Sequence, residues 1–80
     1  MVIIKVSRKS DGKEVVQCIK LTEDEFRSND SDYNGICLSC GKTAIGSTEP
    51  DAREYECEYC DEKAVYGFQE LLIMNRLKLV

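Results

Sequence analysis

Two pairs of cysteines are the residues of this chain best suited to chemistry. Cys37 and Cys40 form one Cys-x2-Cys pair, and Cys57 and Cys60 form a second pair after sixteen further residues. Two residues between cysteines allow a tight turn that brings both sulfurs to one ion, and a second such turn completes a tetrahedron. Thiolates suit Zn²⁺, and four of them leave no open coordination position. The spacing therefore predicts one structural Zn²⁺.

Two other chemistries fit the same four sulfurs. One is iron in a rubredoxin-like site, and the other is a pair of redox disulfides. A thioredoxin-like role needs one exposed Cys-x-x-Cys at the start of a helix that follows a strand, and this arrangement is not predicted here. Zinc is therefore the favoured interpretation. The remaining cysteine, Cys18, is expected to be a small apolar residue of a strand.

The two cysteine pairs lie in similar surroundings. The segments CLSCGKTA and CEYCDEKA both read Cys-x-x-Cys-x-x-x-Ala, and they start twenty residues apart. This repeat is typical of two zinc knuckles in a ribbon. Gly41 suits the left-handed conformation that often follows a knuckle, because it lacks Cβ. Asp61 takes the equivalent place in the second knuckle, where it is tolerated less well than glycine but better than most residues.

The composition limits both the fold and the function. A chain of 80 residues forms one small core, and such scaffolds usually need a metal, disulfides or a partner. The net charge of −4 gives no general attraction to nucleic acid. The chain contains no histidine, which is the commonest general acid or base near neutral pH. It also contains no recognisable catalytic motif, so we expect it not to be an enzyme.

The N-terminal segment predicts a β-hairpin. VIIKVSRKS and KEVVQCIKL flank Asp11-Gly12, a typical two-residue turn. This turn would pair Val6 with Gln17 and Ile4 with Ile19. It would place one set of apolar residues on a single face: Val2, Ile4, Val6, Val15, Ile19 and Leu21. Ile3, Val16 and Cys18 would lie on the opposite face.

Two short helices are predicted on either side of the cysteine region. Thr22 and Glu25 have the spacing of a capping box, which indicates a helical turn from Glu23 to about Arg27. The next seven residues, SNDSDYN, are expected to form a polar loop. Near the C-terminus, a helix is predicted from Gly67 to about Asn75. The final RLKLV alternates like a strand and is expected either to pair with the hairpin or to fray.

These elements predict an α+β fold in a single small domain over residues 1–80. It comprises an N-terminal β-hairpin and helical turn (1–28), a four-cysteine zinc ribbon (33–66), and a short C-terminal helix with a tail (67–80).

The segments GICLSCGKTA, EPDAREYECEYC and AVYGFQELL together resemble small zinc-ribbon proteins encoded by bacteriophages and prophages. The resemblance covers about Gly35 to Leu72, roughly half of the chain. Asp61 departs from this family's pattern, in which glycine usually follows the second knuckle as well. The resemblance implies a phage or prophage origin and a cysteine-bound zinc, and it carries no activity.

The first functional hypothesis is a protein-interaction module whose partner is a host or phage protein. The candidate partner-binding residues are Phe68, Leu72, Ile73 and Met74 on the predicted helix, with Tyr55, Tyr59 and Tyr66. The alternative for these side chains is a shared core between ribbon, helix and hairpin. A homodimer would also cover spare apolar residues.

The second hypothesis is a nucleic-acid-binding or transcription-associated zinc ribbon. Its local support is a set of basic residues: Arg8, Lys9, Lys13, Lys42 and Lys63. The alternative is that these are ordinary solvated side chains. The acidic residues around the second knuckle would repel phosphate.

We expect no membrane association, because no apolar run approaches the roughly 20 residues that cross a bilayer. The N-terminal residues do not have the pattern of a signal peptide. Together with the resemblance, this predicts the cytoplasm of a bacterial host cell.

Overall fold

The computed structural model describes residues 1–80, which form seven strands and two helices. In chain order they are β1 (Val2–Ser7), β2 (Glu14–Leu21), α1 (Glu23–Ser31), β3 (Gly35–Cys37), β4 (Thr43–Ala44), β5 (Tyr55–Glu56), β6 (Lys63–Gly67), α2 (Phe68–Ile73) and β7 (Leu77–Leu79). One sheet has the order β1-β2-β7, and the other, here called the ribbon sheet, has the order β4-β3-β6-β5. The predicted α+β class is confirmed.

The N-terminal hairpin forms, but its predicted register is wrong. Ser7 pairs with Glu14 and Val6 with Val15, so residues 8–13 make a loop that is longer than a two-residue turn. The Asp11 carboxylate accepts a hydrogen bond from the Lys13 amide at 3.0 Å and also binds the Arg8 guanidinium. These local side-chain bonds stabilise the wider loop in place of the tight turn.

A β-bulge changes the faces of the second strand. Ile4 pairs with Cys18 and Lys5 with Val16, which leaves Gln17 as the extra residue. The bulge places Val16 and Ile19 in the same buried cluster, although simple alternation had assigned them to opposite faces.

The composition of the predicted apolar face is therefore corrected. Val2 is 59% exposed and Val6 is also exposed, whereas Ile3 packs against the core. Of the six residues predicted for that face, Ile19 and Leu21 are buried. Cys18 is half-buried, in the strand to which it was assigned.

Helix α1 begins where the capping box was predicted. The Glu25 amide donates to Thr22 Oγ1 at 3.2 Å, and the Thr22 amide donates to Glu25 Oε1 at 3.0 Å. The helix ends at Ser31 rather than near Arg27, so the predicted polar loop is partly helical. The ring of Phe26 packs edge-on against Phe68 with centroids 6.3 Å apart, and this contact holds the helix on the core.

Helix α2 is shorter than predicted, and the tail beyond it is a strand. Gly67 caps its start, and Asn75, with φ of 59°, follows its end. Strand β7 pairs in parallel with β2, so of the two alternatives predicted for the tail, pairing with the hairpin is the one that the structure shows. Arg76 Nη1 donates to the carbonyl oxygens of Val16 and Gln17, at 3.2 and 3.4 Å, and so satisfies the carbonyls at the bulge.

One apolar core joins the hairpin, the ribbon sheet and α2. Its seven buried residues are Val16, Ile19, Leu21, Ile36, Phe68, Leu71 and Leu77. Because Ile36 belongs to β3, one face of the ribbon sheet packs on this core and the other face is left for the metal region. Neither helix has the length and apolar composition needed to cross a bilayer.

Candidate metal centre

The first knuckle follows β3 and turns back along β4. The Gly41 amide donates to the Cys37 carbonyl at 2.9 Å, and the Cys37 amide donates to the Lys42 carbonyl at 3.0 Å. The Cys40 amide lies 3.4 Å from Cys37 Sγ, as a donor to that sulfur. Gly41 has φ of 82°, the left-handed conformation predicted for it.

The second knuckle repeats this pattern after β5. The Asp61 amide donates to the Cys57 carbonyl at 3.0 Å, and the Cys57 amide donates to the Glu62 carbonyl at 2.9 Å. Here the Tyr59 amide points to Cys57 Sγ at 3.4 Å. Asp61 has φ of 61°, so it takes the left-handed conformation without the advantage of glycine. The repeat seen in the sequence is thus a repeat in backbone structure.

The two knuckles bring all four predicted sulfurs together. The four Sγ atoms lie within 4.8 Å of one another. The Cys37 and Cys60 sulfurs are 3.6 Å apart, and so are those of Cys40 and Cys57. A disulfide would bring two sulfurs to about 2.0 Å, and all the cysteines are free thiols. Zn–S bonds of about 2.3 Å give tetrahedral sulfur–sulfur separations of about 3.8 Å, which this cluster fits.

The cluster is protected from water to different degrees. Cys37 and Cys57 are buried, whereas Cys40 and Cys60 are half-buried. Burial raises the pKa of Cys37 to about 12, and it also raises the pKa of Cys40. Burial acts in the same direction on Cys57, but the amides of Tyr59 and Cys60 and the neighbouring thiols lower its pKa to about 7. A bound cation would favour the thiolate at every position, so the four residues could hold a metal ion.

The hairpin holds the first knuckle in place. The Val16 amide donates to the Leu38 carbonyl at 2.8 Å, and the Leu38 amide donates to the Ala64 carbonyl at 2.8 Å. Lys5 Nζ donates to the Cys40 carbonyl at 3.1 Å. Near the second knuckle, the ion pair to the hairpin is longer, with Lys13 Nζ 4.0 Å from Glu62 Oε1. The first knuckle is therefore built into the fold, and the second is more open to solvent.

Two glycines allow a long loop to cross the outer face of the ribbon sheet. A Cβ on Gly35 would lie 2.5 Å from Thr48 Cγ2, and a Cβ on Gly67 would lie 2.1 Å from the Glu49 carbonyl oxygen. Thr48 is buried, and its amide donates to the Tyr33 carbonyl at 2.8 Å. The loop between β4 and β5 is thus fixed against the sheet by close backbone approach.

The predicted partner-binding residues do not form one surface. Phe68 is completely buried in the core and presents no surface to a partner, which corrects its assignment. Leu72 is partly exposed and Ile73 is 71% exposed, while Met74 is half-buried. Phe68 therefore belongs to the shared core that was the alternative to partner binding. Leu72 and Ile73 leave exposed apolar surface at the end of α2.

The basic residues are partly neutralised by acidic neighbours. The Arg8 guanidinium binds the Asp11 carboxylate and, with the Lys13 amide, lowers the pKa of Asp11 to about 2. Lys13 lies beside Glu62. Lys42 Nζ lies over the Tyr59 ring, 5.6 Å from its centroid. The hairpin tip is therefore not a continuous cationic surface.

A cleft on the ribbon, which we call the ribbon cleft, was not found from the sequence. It has a volume of about 210 Å³ and lies over the outer face of the ribbon sheet, between β4 and β5. Its wall includes Ile45, which is 78% exposed, more than any other large apolar side chain of the chain. In the sequence, the only indication of the cleft is Ile45, an isoleucine among small and polar loop residues. This indication is weak, because single exposed apolar residues are common on protein surfaces.

Comparison with known protein families, curated proteins and solved structures found no match to this chain. The function is therefore inferred from the residues and their geometry.

Proposed function

We propose that this chain is a zinc-stabilised binding domain that recognises a protein partner and has no catalytic activity. The observation that carries the proposal is the cluster of four cysteine sulfurs, closed by two knuckles of the same backbone structure. Sulfur donors favour Zn²⁺ over harder cations, and four protein ligands complete its tetrahedron. Catalytic zinc instead keeps a position open for water or substrate.

Charge and exposure favour a protein over a nucleic acid as the partner. The net charge is −4, and the arginine and one lysine at the hairpin tip are paired with carboxylates. A phosphate backbone requires several unpaired cations for binding at physiological salt. Exposed large apolar residues, which protein interfaces bury, are present at Ile45, Tyr59 and Ile73.

The resemblance of residues 35–72 to phage and prophage zinc ribbons supports a proposal for the origin of the partner. We propose that the partner is a host or phage protein, met in the bacterial cytoplasm. A second copy of this chain is the competing occupant of the exposed apolar surface.

The metal assignment is tested by elemental analysis of the purified protein. One zinc per chain is expected, and replacement by Co²⁺ should give the visible bands and the sulfur-to-cobalt charge-transfer absorption of a tetrahedral thiolate site. Cys18→Ala is the matched control, because Cys18 lies outside the cluster and should leave both readouts unchanged. Iron at one equivalent, with the visible spectrum of a rubredoxin-like centre, would contradict the assignment.

The binding proposal is tested by photo-crosslinking in bacterial cells. A photoreactive amino acid is placed at Ile45 in one variant and at Ile73 in another, since both side chains are exposed at different places. We expect a crosslinked protein that survives nuclease treatment. Crosslinks that disappear with nuclease would indicate nucleic acid, and crosslinks to this chain alone would indicate a homodimer.

A further inference from the structure

We propose that the ribbon cleft binds a peptide segment of the partner that carries an apolar side chain flanked by lysine or arginine. This inference rests on the proposed function and gives it a surface and a ligand chemistry. It comes from three properties of the cleft, namely its size, its exposed apolar walls and its unpaired negative charge.

The size of the cleft suits one side chain of a larger partner. Pockets for drug-sized molecules are usually about 300–1,000 Å³, and this cleft has about 210 Å³. One wall is formed by the segment from Lys42 to Ile45, the other by the segment from Tyr55 to Tyr59, and Val65 lies between them.

The walls expose apolar surface on a fixed frame. Ile45 is 78% exposed, Tyr59 is 67% exposed, and Tyr55 is also exposed. The loop that carries Ile45 is held by a hydrogen bond from the Gly46 amide to Asn34 Oδ1, at 3.1 Å. A pre-organised apolar wall loses little entropy when a ligand covers it, and this favours binding.

The charge at the cleft favours a cationic ligand. Glu56 and Glu58 line it, both are exposed, and neither has a salt-bridge partner within 4.0 Å. Lys42 is the one basic lining residue, so the lining residues have a net charge of −1 from two glutamates and one lysine. Lys42 Nζ lies 5.6 Å from the Tyr59 ring centroid, so this lysine covers part of the ring and leaves the two glutamates without a cationic partner.

The chemistry of the ligand is tested by selection from a displayed library of random peptides on the immobilised, zinc-loaded chain. We expect the enriched peptides to share an apolar residue flanked by lysine or arginine. Enrichment of acidic peptides, or no enrichment, would overturn the inference. A fluorescein-labelled synthetic peptide of the enriched sequence then serves as the probe for affinity measurements.

The location is tested with two double variants of matched type. Ile45→Ser/Tyr59→Ser removes the exposed apolar walls and should weaken probe binding at least tenfold. Leu72→Ser/Ile73→Ser changes two exposed apolar residues of α2 and should leave binding within twofold. The zinc content of each variant confirms that the ribbon is folded. Weaker binding in the α2 variant with an unchanged cleft variant would overturn the inference.

The role of charge has its own pair of readouts. Glu56→Gln/Glu58→Gln keeps the size of both side chains and should weaken probe binding about three- to tenfold at low salt, with a smaller salt dependence. Unchanged affinity would contradict the charge argument. A fluorescein-labelled single-stranded RNA is the competing ligand. If it binds more tightly than the peptide probe and the cleft variants weaken its binding, the ligand is a nucleic acid and the inference is overturned.

The proposed function and this inference can fail separately. If a nuclease-resistant protein is crosslinked from Ile73 while no peptide binds the cleft, the inference fails and the proposed function stands. If neither crosslinking position captures a protein, the proposed function fails as well.

Discussion

The apolar core and the sulfur cluster stabilise two parts of one small molecule by different means. The core has seven buried apolar residues drawn from the hairpin, β3, α2 and β7. The cluster in the ribbon has three buried residues, Cys37, Cys57 and Val65, and two of them are candidate metal ligands. The hairpin and helices are therefore held mainly by apolar burial, whereas the ribbon buries very little apolar surface of its own.

The free energies of apolar burial and of zinc binding show that apolar burial alone contributes little to the stability of the ribbon. Complete burial of one aliphatic side chain contributes about 1.5–3 kcal/mol, so Val65 supplies only a small part of the stability of the ribbon. Structural zinc has an apparent binding free energy of about 10–16 kcal/mol near neutral pH. The comparison teaches that a metal held by the four cysteines would take the place of an apolar core in the ribbon.

The largest predicted effect is the loss of one metal ligand. Cys60→Ser should abolish stoichiometric zinc binding and unfold the ribbon, because the metal contributes about as much as the roughly 5–15 kcal/mol of stability of a whole domain. Cys18→Ser is the control, since both cysteines are half-buried and only Cys60 lies in the cluster. Elemental analysis and amide hydrogen exchange measure the outcome. Equal zinc content in the two variants would contradict the account.

The second-largest predicted effect is the loss of a buried side chain from the apolar core. Phe68→Ala removes a completely buried ring from the apolar core and should lower the free energy of unfolding by about 3–5 kcal/mol. Ile73→Ala changes an exposed residue of the same helix and should have an effect within about 0.5 kcal/mol. Chemical denaturation of the zinc-loaded proteins measures both. Similar losses in the two variants would show that Phe68 is not part of the core.

The third predicted effect is smaller and concerns the close packing of the loop between β4 and β5 against Gly67. Gly67→Ala should destabilise the protein by about 1–3 kcal/mol, because the new Cβ would lie 2.1 Å from the Glu49 carbonyl oxygen and the loop must move. Gly46→Ala is the control. A Cβ at position 46 would meet no atom within 4 Å. The substitution therefore costs only the backbone strain of a non-glycine residue at φ of 76°, about 1 kcal/mol. Thermal unfolding measures the difference, and a smaller loss for Gly67→Ala would contradict the close approach.

The smallest effect compares the two knuckles. Asp61→Gly should stabilise the second knuckle by up to about 1 kcal/mol, because glycine adopts φ of 61° without a Cβ penalty. The reverse change, Gly41→Asp, should destabilise the first knuckle, where a Cβ would lie 3.0 Å from Lys5 Cε. The rate of zinc transfer to a chelator reports both changes. Faster transfer from Asp61→Gly than from the unchanged protein would refute the strain argument.

The metal site could be predicted because its information is local. The turn of each knuckle is closed by backbone hydrogen bonds between residues four or five positions apart, so the Cys-x2-Cys spacing and Gly41 indicate its structure directly. The capping box of α1 is local in the same way. The knuckle turns and the start of α1 could therefore be predicted from residues that are neighbours in the sequence.

Features that depend on distant contacts could not be predicted in this way. The bulge at Gln17 lies where Arg76 binds the Val16 and Gln17 carbonyls from about 60 positions along the chain. The burial of Phe68 depends on α1 and the hairpin, which pack around it. The ribbon cleft requires β4 and β5, at opposite edges of the sheet, to enclose one space. The first two pairs are more than 40 positions apart, and β4 and β5, although closer in the sequence, are brought together only through β3 and β6.

The central claim is that metal takes the place of an apolar core in the ribbon. The most direct test is residue-resolved amide NMR of the labelled chain before and after zinc removal by a strong chelator, with elemental analysis to confirm the loss. The account predicts that the dispersed signals of residues 35–67 collapse when the metal is removed. Retention of those signals in a protein shown to be free of zinc would contradict it.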